Sequence, residues 1–315
     1  MTARPRHVRP LHVRPLHVAL AFLIVAVWGT NFVVIKAGLR ELPPFLFAAL
    51  RFLACAVPFA FFIARPRVAW RWLALYGVVL GAGQFGLLFY AMRADISPGM
   101  ASLVIQVQVF FTIGLSMWLF GERTTTVTWV GTLLAAAGLA VIAFHLDATI
   151  TALGVALVIG AALAWACANV LVKRTAKESS EPINMVGFMV WSSLFAVPPL
   201  VLLSLVLEGW TTDIQAIATA SFGAWAAVGW QAVGNTLFGY AAWSWLLTRY
   251  DAAVIAPYAL LIPIFGMGSS ALLLGEPLPP WKLVAAAMVL GGITLITLVG
   301  RRRSRGIATS RGPVQ

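Results

Sequence analysis

Hydrophobic residues are arranged along this chain in ten long runs, separated by short polar segments or prolines. A helix that crosses the hydrocarbon of a bilayer needs about 20 mainly apolar residues. Turn-forming pairs such as Pro43-Pro44 and Pro279-Pro280 mark several boundaries between the runs. The pattern therefore predicts ten membrane-spanning helices, at about 18–39, 44–64, 71–92, 97–120, 125–144, 151–172, 184–207, 222–247, 252–274 and 281–299.

The composition also indicates an integral membrane protein. Of the 315 residues, 61% are hydrophobic and 10% are charged, and the mean hydropathy is +0.92. A soluble domain carries about 25% charged residues, so this chain cannot cover its surface with polar groups. The formal net charge of +12 would suit nucleic acid, but the basic residues lie in termini and short loops, which favours a lipid bilayer as the partner and no nucleic acid. Cys55 and Cys167 lie inside apolar runs and are interpreted as packing residues.

The distribution of Lys and Arg predicts the orientation, because cytoplasmic loops carry an excess of positive charge. With the N-terminus in the cytoplasm, seventeen basic residues are cytoplasmic and three are in outer loops, namely Arg40, Arg93 and Lys282. An even number of spans then places both termini in the cytoplasm. Residues 1–17, with a repeated RPLHV and three histidines, are expected to form a disordered basic tail rather than a metal site or a cleaved signal peptide. Residues 300–315 are expected to form a second basic tail.

The two halves of the chain match each other. Segment 97–123 aligns without gaps to 251–277, an offset of 154, and Trp28 and Lys36 correspond to Trp165 and Lys173, an offset of 137. The repeat unit therefore holds five spans and the two copies cover 18–144 and 151–299. Because five is odd, the second copy must cross the membrane in the opposite direction. Inverted repeats that hold substrate between them near the midplane are typical of secondary transporters.

Several motifs, taken in order along the chain, resemble the EamA family of the drug/metabolite transporter superfamily. These motifs are WGTNFVVIKAGL (28–39), LPPFLFAALRF (42–52), ARP (64–66), QVQVFFT (106–112), GER (121–123) and GE (275–276). The combination is most similar to the cysteine and O-acetylserine exporter branch. The resemblance implies an all-helical, multi-pass protein of the cell inner membrane that exports amino-acid metabolites by alternating access.

Polar and aromatic side chains within the spans are the candidates for substrate binding, because a polar group in hydrocarbon usually faces the bundle interior. Amides can donate to a carboxylate and accept from an ammonium, which suits a small zwitterion. The alternative for each amide is an interhelical hydrogen bond. Gln106 and Gln108 lie about 200° apart on a helix, so both cannot face one cavity. The full set of candidates is Trp28, Asn31, Gln84, Gln106, Gln108, Trp165, Asn169, Gln231, Asn235 and Tyr258.

Four charged residues are assigned gating or structural roles: Lys36, Arg51, Glu122 and Glu276. Arg51 lies about seven residues, or about 10 Å, into the second span, where it would either neutralise a substrate carboxylate or serve the scaffold. Glu122 and Glu276 lie at span ends, where the expected role of a carboxylate is to cap a helix or to pair with another charge at a gate. No Asp or Glu lies at mid-span, so no proton carrier is evident and the coupling ion stays open.

Other classes of protein fit the sequence less well. An intramembrane enzyme needs a nucleophile with a base, paired carboxylates or metal ligands, and the spans hold none of these, so neither metal nor cofactor is expected. A channel usually carries rings of charge or a carbonyl filter. The serious alternative is the same fold with another cargo, such as a drug, another amino acid or a nucleotide-type metabolite. The oligomeric state stays open.

Overall fold

The structure, a computed structural model, describes residues 14–120, 126–145, 149–179, 181–249 and 256–309. Within these ranges the chain is helical, without a strand and with one isolated antiparallel bridge between Ile96 and Ile150. Seven helices are regular throughout: α1 (Pro15–Gly38), α2 (Pro44–Ala60), α5 (Thr126–Ala143), α6 (Ala152–Glu178), α7 (Met185–Leu207), α8 (Trp210–Thr219) and α11 (Pro280–Thr309).

The other four helices change their hydrogen-bonding pattern part-way. Two contain π-helix: α3 joins Trp70–Val78, π-helical Val79–Gly86 and Leu87–Ala94, whereas α9 joins Phe222–Gly229, π-helical Trp230–Tyr240 and Ala241–Arg249. Two contain 3₁₀-helix: α4 joins Pro98–Val104, 3₁₀-helical Ile105–Val107 and Gln108–Phe120, whereas α10 joins 3₁₀-helical Ala256–Leu261 and Ile262–Leu274.

The irregular segments occupy matching positions in the two halves. Adding 154 to the first π-helical segment gives 233–240, which lies inside the second. The same shift carries the first 3₁₀ segment to 259–261, again inside the second. Irregular turns within long helices often lie at functional hinges. Their recurrence at the offset already seen in the sequence links the local structure of the two halves.

Helix length and composition identify the segments that can cross a membrane. Among the described residues, five helices are long and apolar enough to do so: Pro15–Gly38, Trp70–Ala94, Pro98–Leu119, Ala152–Ala176 and Met185–Leu207. Shorter apolar helices run over Pro44–Ala60, Trp129–Ile142, Ile262–Leu274 and Pro280–Gly292. The chain is thus a helical protein with several helices that are long and apolar enough to cross a bilayer.

The helix boundaries follow the predicted spans with a few differences. Helix α1 begins at Pro15, inside the segment expected to be a disordered tail, because proline is well accommodated in the first turn of a helix. Residues 1–13, which hold most of that tail, lie outside the described residues. At the other end, α11 continues into the expected second tail as far as Thr309. The short helix α8 was not anticipated by the sequence analysis.

The packing of the helices respects the two-fold relation between the halves. The fifth helices of the two repeats, α5 and α11, pack along each other, and so do the second helices, α2 and α7. Helix α1, the first of one repeat, packs on α10, the fourth of the other. Likewise α6, the first helix of the second repeat, packs on α4, the fourth of the first. At the first of these contacts, a Cβ on Gly29 would lie 2.7 Å from the carbonyl oxygen of Ile262, so only glycine permits this approach. The core between these helices contains the candidate site.

Candidate functional site

A cavity of about 50 Å³ lies at the centre of the bundle, with walls from six helices of both halves. Five of the ten residues proposed from the sequence line it: Trp28, Asn31, Gln84, Trp165 and Asn235. All four irregular segments border the cavity, either with a residue of their own or with the residue directly after them. At about 10–15 Å³ per water, this space holds a few water molecules.

A chain of amides forms one wall of the cavity. Nε2 of Gln231 donates to Oδ1 of Asn31 at 2.7 Å, and Oε1 of Gln231 accepts from Nδ2 of Asn31 and Nδ2 of Asn235, each at 3.3 Å. The indole Nε1 of Trp28 donates to the carbonyl oxygen of Asn235 at 3.3 Å. Gln231 is thus the buried link of the network, while Asn31 and Asn235 also face the cavity. These bonds join α1 of the first half to α9 of the second.

Gln84 enters the same cavity from the π-helical part of α3, and it is 3% exposed. Its Oε1 is buried and has no hydrogen-bond partner among the described residues. A buried acceptor without a partner costs free energy comparable to a lost hydrogen bond. Gln84 therefore has an unused acceptor on the cavity wall, unlike the three amides of the hydrogen-bonded network.

Arg51 lies behind the cavity wall and is completely buried. Its Nε and Nη2 donate to Oγ1 of Thr236 at 3.2 and 2.9 Å, and its guanidinium carbon is 3.6 Å from the ring centroid of Phe85. Thr236 in turn donates to the carbonyl oxygen of Gln231 at 2.8 Å. Through these contacts, the cation is held between the π-helical segments of α3 and α9.

The remaining amide candidates lie elsewhere in the bundle. Nδ2 of Asn169 donates to Oε1 of Gln108 at 3.1 Å, and Thr112 donates to the same oxygen. Gln106 is 1% exposed, outside the cavity lining, and its Nε2 has no hydrogen-bond partner among the described residues. Tyr258 packs edge-on against Phe22 with ring centroids 5.6 Å apart. These four candidates are therefore not brought to the central cavity in this conformation.

At the predicted outer face, two of the charged candidates cap helices. Nζ of Lys36 donates to the carbonyl oxygens of Met92 and Arg93, at 2.9 and 3.0 Å, near the C-terminal end of α3. Glu276 accepts from the hydroxyl of Ser97 and from the backbone N–H of Gly99, at the first turn of α4. Both arrangements place charge where the helix dipole favours it. Glu122, the fourth charged candidate, lies outside the described residues.

Glu276 also forms a buried ion pair. Its Oε1 lies 2.9 Å from Nζ of Lys282, and the two side chains are only 8% and 4% exposed. A vestibule of about 410 Å³ opens beside this pair and includes Lys36 and Arg40 in its lining. Along α4, about 10 Å separates Pro98 at the vestibule from Ile105 at the cavity, at 1.5 Å per residue. The residues between them are fully buried and close the path.

The predicted cytoplasmic face carries a different kind of contact, an exposed cluster of ion pairs. Arg67 pairs with Glu181 at 2.9 Å, and Glu178 pairs with Arg174 at 3.1 Å while accepting from the indole of Trp72 at 2.9 Å. Because Arg174 hydrogen-bonds the carboxylate, the pKa of Glu178 lies below its usual 4.5. The cluster joins the start of α3 to the end of α6 and the loop after it, and so connects the two halves.

Comparison with known proteins settles the family. The model of the EamA-like transporter family matches residues 16–144 and again residues 152–298. The chain belongs to this family. A protein of Salmonella typhimurium named "Probable amino-acid metabolite efflux pump" is 41% identical over 87% of this chain and 92% of its own length. A protein of Escherichia coli K12 with the same name is 38% identical over 91% of this chain and 96% of its own length.

A solved crystal structure shares the fold of this EamA-like chain. It aligns with a TM-score of 0.61 at 20% sequence identity, covering 92% of this chain and 99% of the other. With the family match and the curated relatives, this makes the protein a multi-pass membrane transporter. The family and the named relatives are transporters. In the part of the chain that the structure describes, no three His, Cys, Asp or Glu side chains are grouped as a metal site would require.

Reasoning from the sequence left several residues of the EamA-like site out of the candidate set, among them Phe85, Thr236 and Tyr240. Phe85 and Tyr240 line the cavity and Thr236 binds Arg51. An aromatic residue in an apolar span has no distinctive sequence signal, so Phe85 and Tyr240 could not be separated from lipid-facing residues. Thr236 directly follows Asn235 in the chain, and on a regular helix the two would point about 100° apart. The π-helical segment that carries both residues leaves no trace in the hydrophobic periodicity.

Proposed function

We propose that this protein exports small amino-acid metabolites, of the cysteine and O-acetylserine kind, across the cell inner membrane by alternating access. In this proposal all ten predicted spans cross the bilayer and both termini are cytoplasmic. The observation that carries it is the central cavity, which is lined by neutral amides and aromatic rings from both inverted halves. The names of the two curated relatives support the same class of cargo.

The chemistry of the cavity suits a small zwitterion that must be released again. Amides can donate to a carboxylate and accept from an ammonium, and neutral partners hold either charge more weakly than a fixed ion would. In the proposed cycle, Gln84 and Asn235 contact the solute from opposite halves. A cavity of about 50 Å³ has room for a few waters, so it must widen for an amino acid to enter.

The vestibule at the predicted outer face supports the direction of that widening. Its volume of about 410 Å³ exceeds that of the central cavity, and the buried segment of α4 before Ile105 is the barrier between them. On the predicted cytoplasmic side, the contact of α1 with α9 is sealed by Ala21, Ile24 and Leu246, all at 0% exposure. Export then requires the cytoplasmic contact to open for loading and the α4 barrier to open for release.

Transport by inverted membrane vesicles tests the proposal. Vesicles bearing the protein should accumulate labelled cysteine or O-acetylserine faster than vesicles without it, because export from a cell corresponds to uptake by an inverted vesicle. Immunodetection should verify that the protein is inserted in the vesicles that bear it. Equal uptake by both kinds of vesicle would refute the amino-acid cargo but leave the fold intact.

The alternative cargo on the same fold is a drug, another amino acid or a nucleotide-type metabolite. An organic cation would call for a membrane-embedded acid near the cavity, and none of the described residues that line it is acidic. The same vesicles, offered a panel of these solutes, distinguish the alternatives. Accumulation of a cation or a nucleotide with no accumulation of amino acids would favour this second reading.

A further inference from the structure

Arg51 is a buried cation that has no counter-ion in the part of the chain that the structure describes. It is 0% exposed, its Nη1 has no hydrogen-bond partner, and no salt bridge joins it to a carboxylate among the described residues. An ionised side chain inside a membrane is costly and usually has a functional partner. Thr236 and the ring of Phe85 satisfy only part of the guanidinium.

The carboxylates that the structure describes have partners other than Arg51. Asp95 accepts from Thr151, and the buried Asp213 accepts from Ser204 through one oxygen while its Oδ1 has no partner among the described residues. Glu41 accepts from Ser221, and Glu208 accepts from the first turn of α2. Glu276 pairs with Lys282, and Glu178 and Glu181 pair with arginines of the cytoplasmic cluster. None of these carboxylates forms a salt bridge with Arg51. Glu208 bonds the first turn of α2, about 8 Å along that helix from Arg51 at 1.5 Å per residue.

A cation at this depth is not repeated in the other half. Arg51 lies inside α2, whereas the corresponding helix of the second repeat, α7, contains no Lys or Arg. Since α2 and α7 pack along each other as equivalents, the positive charge is a feature of one half only.

Arg51 is adjacent to the central cavity through two residues. Phe85, over which the guanidinium lies at 3.6 Å, is itself part of the cavity wall. Thr236, which binds the guanidinium, directly follows the cavity residue Asn235. The cation is therefore one side chain removed from the solute space, in a low-dielectric surrounding where its charge is weakly screened.

We propose that Arg51 determines the specificity of the cavity for solutes with a carboxylate group, by placing an uncompensated positive charge behind Phe85. The proposal rests on the proposed transport function and adds the substrate feature that is recognised. In the bound state, the solute carboxylate is the counter-ion of Arg51, and Phe85 and Asn235 form the surface it approaches. Removal of the charge should abolish the preference for carboxylates rather than all binding.

Binding to the purified, full-length protein tests this inference separately from transport. Tryptophan fluorescence is a suitable signal because Trp28 and Trp165 line the cavity. The probes are cysteine, cysteamine, which lacks the carboxylate, and 3-mercaptopropionate, which lacks the ammonium. The wild-type protein should bind cysteine and 3-mercaptopropionate at least tenfold more tightly than cysteamine. Equal affinity for the three probes, or no preference of the wild type for a carboxylate, would overturn the proposal.

Variants assign the preference to the residue. Arg51→Gln should reduce the tenfold preference to about twofold or less, whereas Arg51→Lys should retain most of it. Arg40→Gln is the matched control, because Arg40 is exposed at the vestibule and its removal changes the net charge equally. Arg51→Gln with an unchanged preference, or Arg40→Gln with the same loss, would overturn the role of Arg51. If Arg51→Gln does not fold, the carboxylate preference is still measured on the wild type and on Arg51→Lys, and its absence from the wild type overturns the proposal. Failure of vesicle uptake alone would refute the cargo and leave this binding result intact.

Discussion

Replacement of Glu276 by Gln should destabilise the protein strongly, because it leaves Lys282 buried without its anion. The Lys282 Nζ lies 2.9 Å from Glu276 Oε1, and the side chains are only 4% and 8% exposed. Removing one partner of such a pair costs about 3–5 kcal/mol, most of it from the charge left behind. Glu276 also caps α4 through Ser97 and Gly99, and Gln can keep only part of that bonding. At about 2 °C per kcal/mol, the melting temperature should fall by about 6–10 °C.

The chain offers a matched control for this prediction. The pair Arg67–Glu181 has the same 2.9 Å distance, but its side chains are 83% and 59% exposed. Exposed pairs contribute about 0–1 kcal/mol, so Glu181→Gln should lower the melting temperature by less than about 2 °C. Thermal unfolding of detergent-solubilised protein measures both variants under one condition.

A double variant tests the reason as well as the size of the effect. If the cost comes from an unpaired lysine, Glu276→Gln combined with Lys282→Met should recover a large part of the lost stability, since no buried charge remains. The reasoning would be refuted by equal shifts for Glu276→Gln and Glu181→Gln. It would also be refuted by a double variant no more stable than Glu276→Gln alone.

Three further outcomes are expected from the same structure. Gln84→Ala should reduce vesicle uptake at least tenfold at unchanged membrane abundance. Gln108→Ala, which removes an amide bonded outside the cavity, should leave uptake nearly intact. Equal losses in the two variants would contradict a binding role for Gln84. Glu208→Gln should lower the melting temperature by about 2 °C, since its carboxylate accepts two N–H groups at the start of α2 and a lost cap costs about 1 kcal/mol; no shift would exclude this capping role. The hydrogen bond from Arg174 lowers the pKa of Glu178 below 4.5. Its stabilising effect should therefore be full above pH 4.5 and disappear as the pH falls through the lowered pKa. The wild type and Glu178→Gln should accordingly differ in melting temperature at about pH 6 and converge only below pH 4.5.

The helical elements were predictable because each apolar run is long and is bounded by residues with a clear local preference. Pro44, Pro98 and Pro280 each begin a helix, where the missing N–H of proline costs nothing. The repeat was also predictable, since the offset of 154 residues recurs in the irregular segments. Whether each run crosses the bilayer, and in which direction, stays a prediction of the apolar pattern and the charge distribution.

The site was predictable in its chemistry but not in its grouping. A rule that polar groups in spans face inward selects Asn31, Gln84 and Asn235, and these do line the cavity. The same rule selects Gln108 and Asn169, which bond to each other instead. Composition cannot separate these cases, because both place amides within apolar spans. The difference depends on which helices meet and on where the π-helical turns rotate a side chain, and neither appears in the one-dimensional pattern.

The position of the irregular segments connects the fold to the proposed cycle. A regular helix moves as a rod, whereas a π or 3₁₀ turn is a place where the bonding pattern can shift by one residue. Each half contributes one π-helical and one 3₁₀ segment, and all four border the cavity. In the proposed arrangement, with the halves inverted, a change that opens one segment toward one side has a mate that opens toward the other. The proposed cycle then needs no separate hinge, because the residues proposed to contact the solute lie on or beside the turns proposed to move.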